Sequence, residues 1–168
     1  MNTAHLHLII THLPIMGVLS GILVLLYAIA RRSAEVKIAA YGLFVVSALG
    51  AGIAYLTGEG AEETVENLPG VLESLIERHE ESALWALIAM IVLGVAALAA
   101  IFWASGTRLF SNTVLVLAVV SFFLIARTGY LGGQIRHTEI RDAAALQPSG
   151  NDAGDTGTGK GGEKDDDD

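Results

Sequence analysis

Four stretches of the chain are apolar almost without interruption, and polar residues gather at their ends. The first covers about residues 8–30, broken only by Thr11, His12 and Ser20 and closed by Arg31 and Arg32. The others cover about 38–57, 83–104 and 110–131. A crossing of the hydrocarbon layer takes about 20 apolar residues in a helix, so each stretch predicts one transmembrane helix. Gly42, Gly50 and Gly52 inside the second, with Gly58 and Gly60 just after it, predict close approach between helices. The expected fold is an all-α membrane protein, a four-transmembrane-helix bundle occupying residues 1–141.

The polar connections carry patterns of their own. Val65, Leu68, Val71, Leu72, Leu75 and Ile76 recur at helical spacing, with Glu62, Glu63, Glu66, Glu73 and Glu77 between them. This predicts an amphipathic outer segment over 60–81, restarted at Pro69. His79 continues its apolar stripe and is expected to point inward. After the fourth stretch, Arg127, Tyr130, Gln134, His137 and Arg141 follow at steps of three or four and form one polar stripe if the helix continues. Gly129, Gly132 and Gly133 would either let a backbone or flat ligand approach, or fold His137 back. From Asp142 to Asp168 the apolar pattern stops, which predicts a disordered acidic tail.

Charge sets an orientation. Arg31, Arg32, Lys37 and Arg108 flank the two short connections after the first and third stretches, while the connection between the second and third holds only Arg78. Basic loops stay inside, so both termini are expected outside. Every Asp and Glu except Glu35 falls on that outer side. Ala28-Ile29-Ala30 has the small residues of a cleavage site, but the basic residues follow the apolar run instead of preceding it, and the run is read as a retained span.

Composition narrows the chemistry further. The 168 residues leave room for one membrane domain and a tail, and the absence of cysteine excludes disulfides, thiolate metal sites and covalently attached haem. A net charge of −8 argues against a nucleic-acid partner. There is no Ser-His-Asp pattern and no phosphate-binding glycine loop, and His79-Glu80-Glu81-Ser82-Ala83 lacks the second histidine of the zinc-hydrolase motif. No catalytic activity of its own is expected.

In order along the chain stand His7-x4-His12-x-Pro14, then Thr57-Gly58-Glu59 with Glu62, then His79-Glu80, then Gly132-Gly133 leading to His137. This series resembles the domain of unknown function 2231 family of bacterial membrane proteins, up to about Arg141. The resemblance implies a four-span bundle, and some members of that family accompany cytochrome-like domains. Leu8 stands where the family pattern has proline after its first histidine, so His12 fits the pattern better than His7.

All five histidines fall on the outer face: His5, His7, His12, His79 and His137. Helical bundles host b-type haem on axial imidazoles alone, which makes one or two haem b groups the expected cofactor. Depth in the bilayer suggests His12 with His79 as the first pair of iron ligands and His7 with His137 as a second, leaving His5 spare. Arg127 and Arg136 would bind propionates, and Tyr130 and Trp85 would wall the pocket. The function so implied is electron transfer at the outer face of the cytoplasmic membrane. It would be carried out within a larger respiratory or redox complex, in exchange with a basic periplasmic electron carrier. Two alternatives use the same residues: a redox-silent zinc or copper site with Glu59, Glu62 or Glu80, and a structural accessory subunit without cofactor. Transport is disfavoured because only Ser20, Ser47 and Ser121 lie near the middle of the spans.

Overall fold

The computed structural model describes residues 2–104 and 108–141, so the tail expected from residue 142 lies outside it. Every described element is helical. In chain order they are α1 (Thr3–Ile10), α2 (His12–Arg31), α3 (Ala34–Leu56), α4 (Gly58–Val65), α5 (Glu73–Ala99) and α6 (Arg108–Arg136). A π-helical turn, Ala100–Ala104, prolongs α5, and a 3-10 turn, Thr138–Ile140, follows α6. Four runs are long and apolar enough to cross a membrane: Thr3–Arg31, Ala34–Leu56, Glu73–Trp103 and Arg108–Arg136.

Each long helix buries a narrow stripe and leaves the rest of its apolar surface open. The stripes are Val18, Gly21, Leu25 and Ala28 on α2; Ala40, Tyr41, Phe44 and Ser47 on α3; Ala86, Met90, Leu93 and Ala97 on α5; and Val114, Ala118, Ser121 and Ile125 on α6. The steps of three and four keep each stripe on one side of its helix. Leu23, Leu49, Val95, Val116 and Phe123 remain largely exposed. Lipid tails solvate such a surface as well as a protein core would, so helix contact has to come from close fit. Gly21 supplies one such fit, because the Phe44 ring occupies the space that a β-carbon there would need.

The helix ends follow from local chemistry. α2 and α3 are joined through Arg32, whose left-handed φ of 54° reverses the chain, and Ser33, whose Oγ accepts the Val36 N–H at 3.3 Å. The first membrane run is broken between α1 and α2 at Thr11. Pro14 has no N–H to give the Ile10 carbonyl, and its ring crowds that position. The Leu8 carbonyl beside the break is satisfied by side chains, Thr11 Oγ1 at 3.0 Å and His12 Nδ1 at 2.7 Å.

The outer segment expected over 60–81 divides in two. α4 ends at Val65, Gly70 turns the chain with φ 81°, and the helix resumes only at Glu73. From there α5 runs without a break into the third membrane stretch, so residues 73–81 belong to the spanning helix. Proline at 69 and a glycine in the left-handed region at 70 explain why the restart falls later than the apolar pattern alone suggests.

Candidate functional site

His79 stands on α5 one turn beyond Ile76 and is half-buried, facing the other helices as its apolar stripe required. Its Nδ1 lies 3.0 Å from the backbone carbonyl of Thr128 on α6. A carbonyl can only accept, so Nδ1 carries the proton and donates it, and Nε2 is left with its lone pair. A connected set of hydroxyls supports this contact. Arg127 Nη1 donates to Ser82 Oγ at 2.9 Å, Ser82 Oγ is 2.8 Å from Thr128 Oγ1, and Thr128 Oγ1 donates to the Leu124 carbonyl at 3.0 Å. With those donors assigned, the Ser82 hydroxyl donates to Thr128. The segment that holds His79 therefore also holds the Arg127 guanidinium about one helical turn away.

His7 meets the same kind of support from another side. Its Nδ1 is 3.0 Å from the carbonyl of Ala54 and 3.2 Å from Thr57 Oγ1, at the C-terminal end of α3. Thr57 Oγ1 itself donates to the Ile53 and Ala54 carbonyls, both at 3.0 Å, so its lone pairs are available to the imidazole. This second histidine is thus also protonated on Nδ1, with its Nε2 lone pair free. The two rings lie 6.5 Å apart between centroids, with their planes at 84°. Glycines flank both: a β-carbon at Gly132 would come within 3.0 Å of His79 Cε1, and one at Gly58 within 3.9 Å of His7 Cε1. Helix α6 runs straight through Gly129, Gly132 and Gly133, so at Gly132 the missing side chain makes room for an imidazole and does not break the helix.

The ring brought to His79 is therefore that of His7, whereas depth along the spans had suggested His12. His12 is exposed on α2 and spends its Nδ1–H on the Leu8 carbonyl, one turn back at the break between α1 and α2. His137 lies beyond the end of α6, exposed, with Nδ1 2.9 Å from Glu139 Oε1. The Glu139 carboxyl is held below its ordinary range by its own backbone amide and then by His137. His137 makes no ring contact with His7. His5 is exposed on α1, and its backbone N–H donates to Oδ1 of the N-cap residue Asn2 at 2.9 Å. Tyr130 and Trp85 are both largely exposed, and Arg136 is exposed at the last turn of α6. The expected polar stripe ends with the helix, because Arg141 folds back to donate to the carbonyls of Gln134, Ile135 and Gly70.

Among the described residues no group of three or more His, Asp or Glu side chains is placed to hold a metal ion. Glu62 on α4 shares a hydrogen bond with Glu80, and this contact, then partial burial and the repulsion between the two carboxylates, raises its pKa. An apolar groove of about 470 Å³ between α3 and α5, lined by Ala48, Leu49, Gly52, Ile53, Leu87 and Ile91 among others, contains no histidine or acid. Of the supporting residues, Thr128 was passed over by sequence reasoning, and Thr57 and Ser82 entered it only within longer motifs, without this role. Their only signal is a hydroxyl placed at the end of an apolar run, beside a histidine or arginine already singled out. Compared with protein-family models, curated proteins and solved structures, the chain matches none.

Proposed function

We propose that the chain is a four-helix transmembrane bundle of the bacterial cytoplasmic membrane, with both termini outside, and that His7 and His79 are the axial ligands of one b-type haem used for electron transfer. The observation that carries this reading is the spacing of two imidazoles that are both anchored through Nδ1. Two imidazole nitrogens each about 2 Å from a shared metal put their ring centroids roughly 6–6.5 Å apart. The observed 6.5 Å lies at that spacing. Backbone carbonyls on both Nδ1–H groups fix the tautomer and raise the basicity of Nε2, the usual support for a histidine that ligates.

The group, when bound, would supply one-electron exchange at its iron. The chain's own residues do the rest. Ala54, Thr57 and Thr128 orient the rings, Gly58 and Gly132 keep side chains away from them, and Arg127 places a permanent cation one turn from His79 for a propionate. A zinc or copper site would lack a third protein donor among the described residues. The acidic residues around α4 suit a basic electron-carrying partner, and an assembly with other membrane subunits suits a protein of this size.

The test is the visible spectrum of detergent-purified protein before and after haem titration. A reduced-minus-oxidised difference typical of bis-imidazole haem is expected, lost in His7→Ala and His79→Ala but kept in His12→Ala and His137→Ala. Haem that fails to bind, or that binds equally well without His7 and His79, would sink the proposal.

A further inference from the structure

Exposed tryptophan and tyrosine keep to the ends of the membrane runs, as the other large exposed side chains do not. Tyr27, Tyr55, Trp85, Trp103 and Tyr130 are all exposed near such an end, and the one remaining residue of either type, Tyr41, is fully buried. Between the ends the large exposed side chains are apolar, as at Leu23, Leu49, Val95, Val116 and Phe123. Charge begins about one turn beyond four of the five rings. Four residues separate Tyr27 from Arg31, Tyr55 from Glu59 and Glu81 from Trp85, and five separate Trp103 from Arg108. Tyr130 stands further out than Arg127 and lies outside this pattern. From Trp85 to Trp103, α5 and its π-helical turn carry no polar side chain. Indole and phenol rings have an apolar body and a polar edge, and they collect where hydrocarbon meets lipid headgroups.

Contacts between antiparallel neighbours bring the levels of the helices into line. Gly17 faces Ser47 and Gly21 faces Phe44, a register that sets Tyr27 on α2 opposite Lys37 on α3. Gly94 faces Ala48, which sets Trp103 opposite Ala39 and Trp85 opposite Thr57, two residues past Tyr55. The bonds from Ser82 to Thr128 and from Ser121 to Ala89 set Trp103 within about a residue of Arg108, where α6 begins. On α5 the two levels are eighteen residues apart. That is about 27 Å along a helix, close to the roughly 30 Å of a bilayer's hydrocarbon. His79 stands six residues ahead of Trp85, in a stretch where Glu77, Arg78, Glu80 and Glu81 are all exposed. Six residues carry it about 9 Å further along the helix, whereas a headgroup layer adds only about 5–8 Å on each face.

We propose that a lipid bilayer grips the chain between these aromatic levels, Tyr55 and Trp85 at the histidine end and Tyr27 and Trp103 at the other. The pair of His7 and His79 then stands clear of the hydrocarbon, at the outer edge of the headgroups, and whatever it binds or meets arrives from water. Lipid-soluble partners dissolved in the acyl chains do not reach it. This seating rests on the four-span part of the proposed function and is independent of haem and of which end faces outward.

The test uses full-length protein without haem in phosphatidylcholine vesicles. Trp103→Phe and Trp85→Phe each leave a single tryptophan, and the acyl chains carry bromine either at carbons 6 and 7 or at carbons 11 and 12. Each remaining tryptophan is expected to be quenched at least twofold more by the shallow bromines than by the deep ones. A nitroxide on Arg78→Cys, next to His79, is expected to collide more often with a water-soluble nickel chelate than with oxygen, and one on Val95→Cys to show the reverse. Stronger quenching of either tryptophan by the deep bromines, or an Arg78→Cys label reached mainly by oxygen, would overturn the seating while leaving the spans in place. If neither bromine position quenches and the Val95→Cys label is open to the nickel chelate, the four-span reading falls with it.

Discussion

His7 and His12 stand five residues apart and use the same ring nitrogen for different purposes. His12 donates to a backbone carbonyl one turn back, while His7 donates to the end of α3 and has its ring 6.5 Å from that of His79. The inward direction of His79 was legible, because it prolongs a stripe of Leu72, Leu75 and Ile76. The partner of His79 was not, because depth alone does not say which side of the first helix faces α5, and it is His7 that meets the end of α3 and lies beside His79. Gly132 offers a test at this scale. In Gly132→Ala the new methyl would lie 3.0 Å from His79 Cε1 and displace the ring from Thr128. Disturbing such outer support typically costs about tenfold in metal affinity. A haem titration of Gly132→Ala should show that loss, with Gly129→Ala, whose added carbon would meet only Ile15 at 3.7 Å, as the unaffected control.

At the scale of elements, hydrophobic period recovered all four long helices, since lipid on all sides rewards an apolar helix whatever packs against it, but it placed the start of the third ten residues too late, at 83 instead of Glu73. The segment between the second and third was only partly legible. Its apolar stripe runs through Leu68 and Val71, but the turn at Pro69 and Gly70 decides where helix stops and starts. α4 is held to α5 in part through Glu62 and Glu80, and this contact predicts a pH response. The pKa of Glu62 is raised in the folded chain, so its protonated form is the one that folding favours. The contribution is complete below the ordinary carboxylate pKa and is lost as pH rises through the raised value. Amide exchange in α4 should therefore be slower, relative to the intrinsic rate, at mildly acid pH than at neutral pH. In Glu62→Gln the difference should vanish.

Across the whole molecule, polar chemistry among the described residues gathers at the two ends, and two of the three hydroxyls near mid-span are committed to backbone carbonyls. Ser47 Oγ donates to the Leu43 carbonyl at 2.7 Å and Ser121 Oγ to the Ala89 carbonyl at 3.3 Å. The second of these bonds ties α6 to α5, and neither serine offers an ionisable step for a proton or substrate to use. The proposed orientation is open to a direct test, made simple by the absence of cysteine. A membrane-impermeant thiol reagent should label Asn67→Cys in intact spheroplasts, while Arg108→Cys should react only after permeabilisation; the reverse pattern would invert the topology.

The interruption at Thr11 divides the two histidines of the pair between unlike carriers. His79 rides on a helix that runs unbroken from Glu73 into the far side of the protein, but His7 rides on an eight-residue helix joined to its span at Thr11. α1 is in effect a latch. It rests against α4, with Thr3 packed on Gly60 and His7 near Gly58. A ligand bridging both imidazoles would fasten it to α5 as well. Binding should then be felt along the first ten residues before it is felt elsewhere: amide exchange in α1 should slow on haem addition, and in His79→Ala it should keep the rate of the unloaded protein.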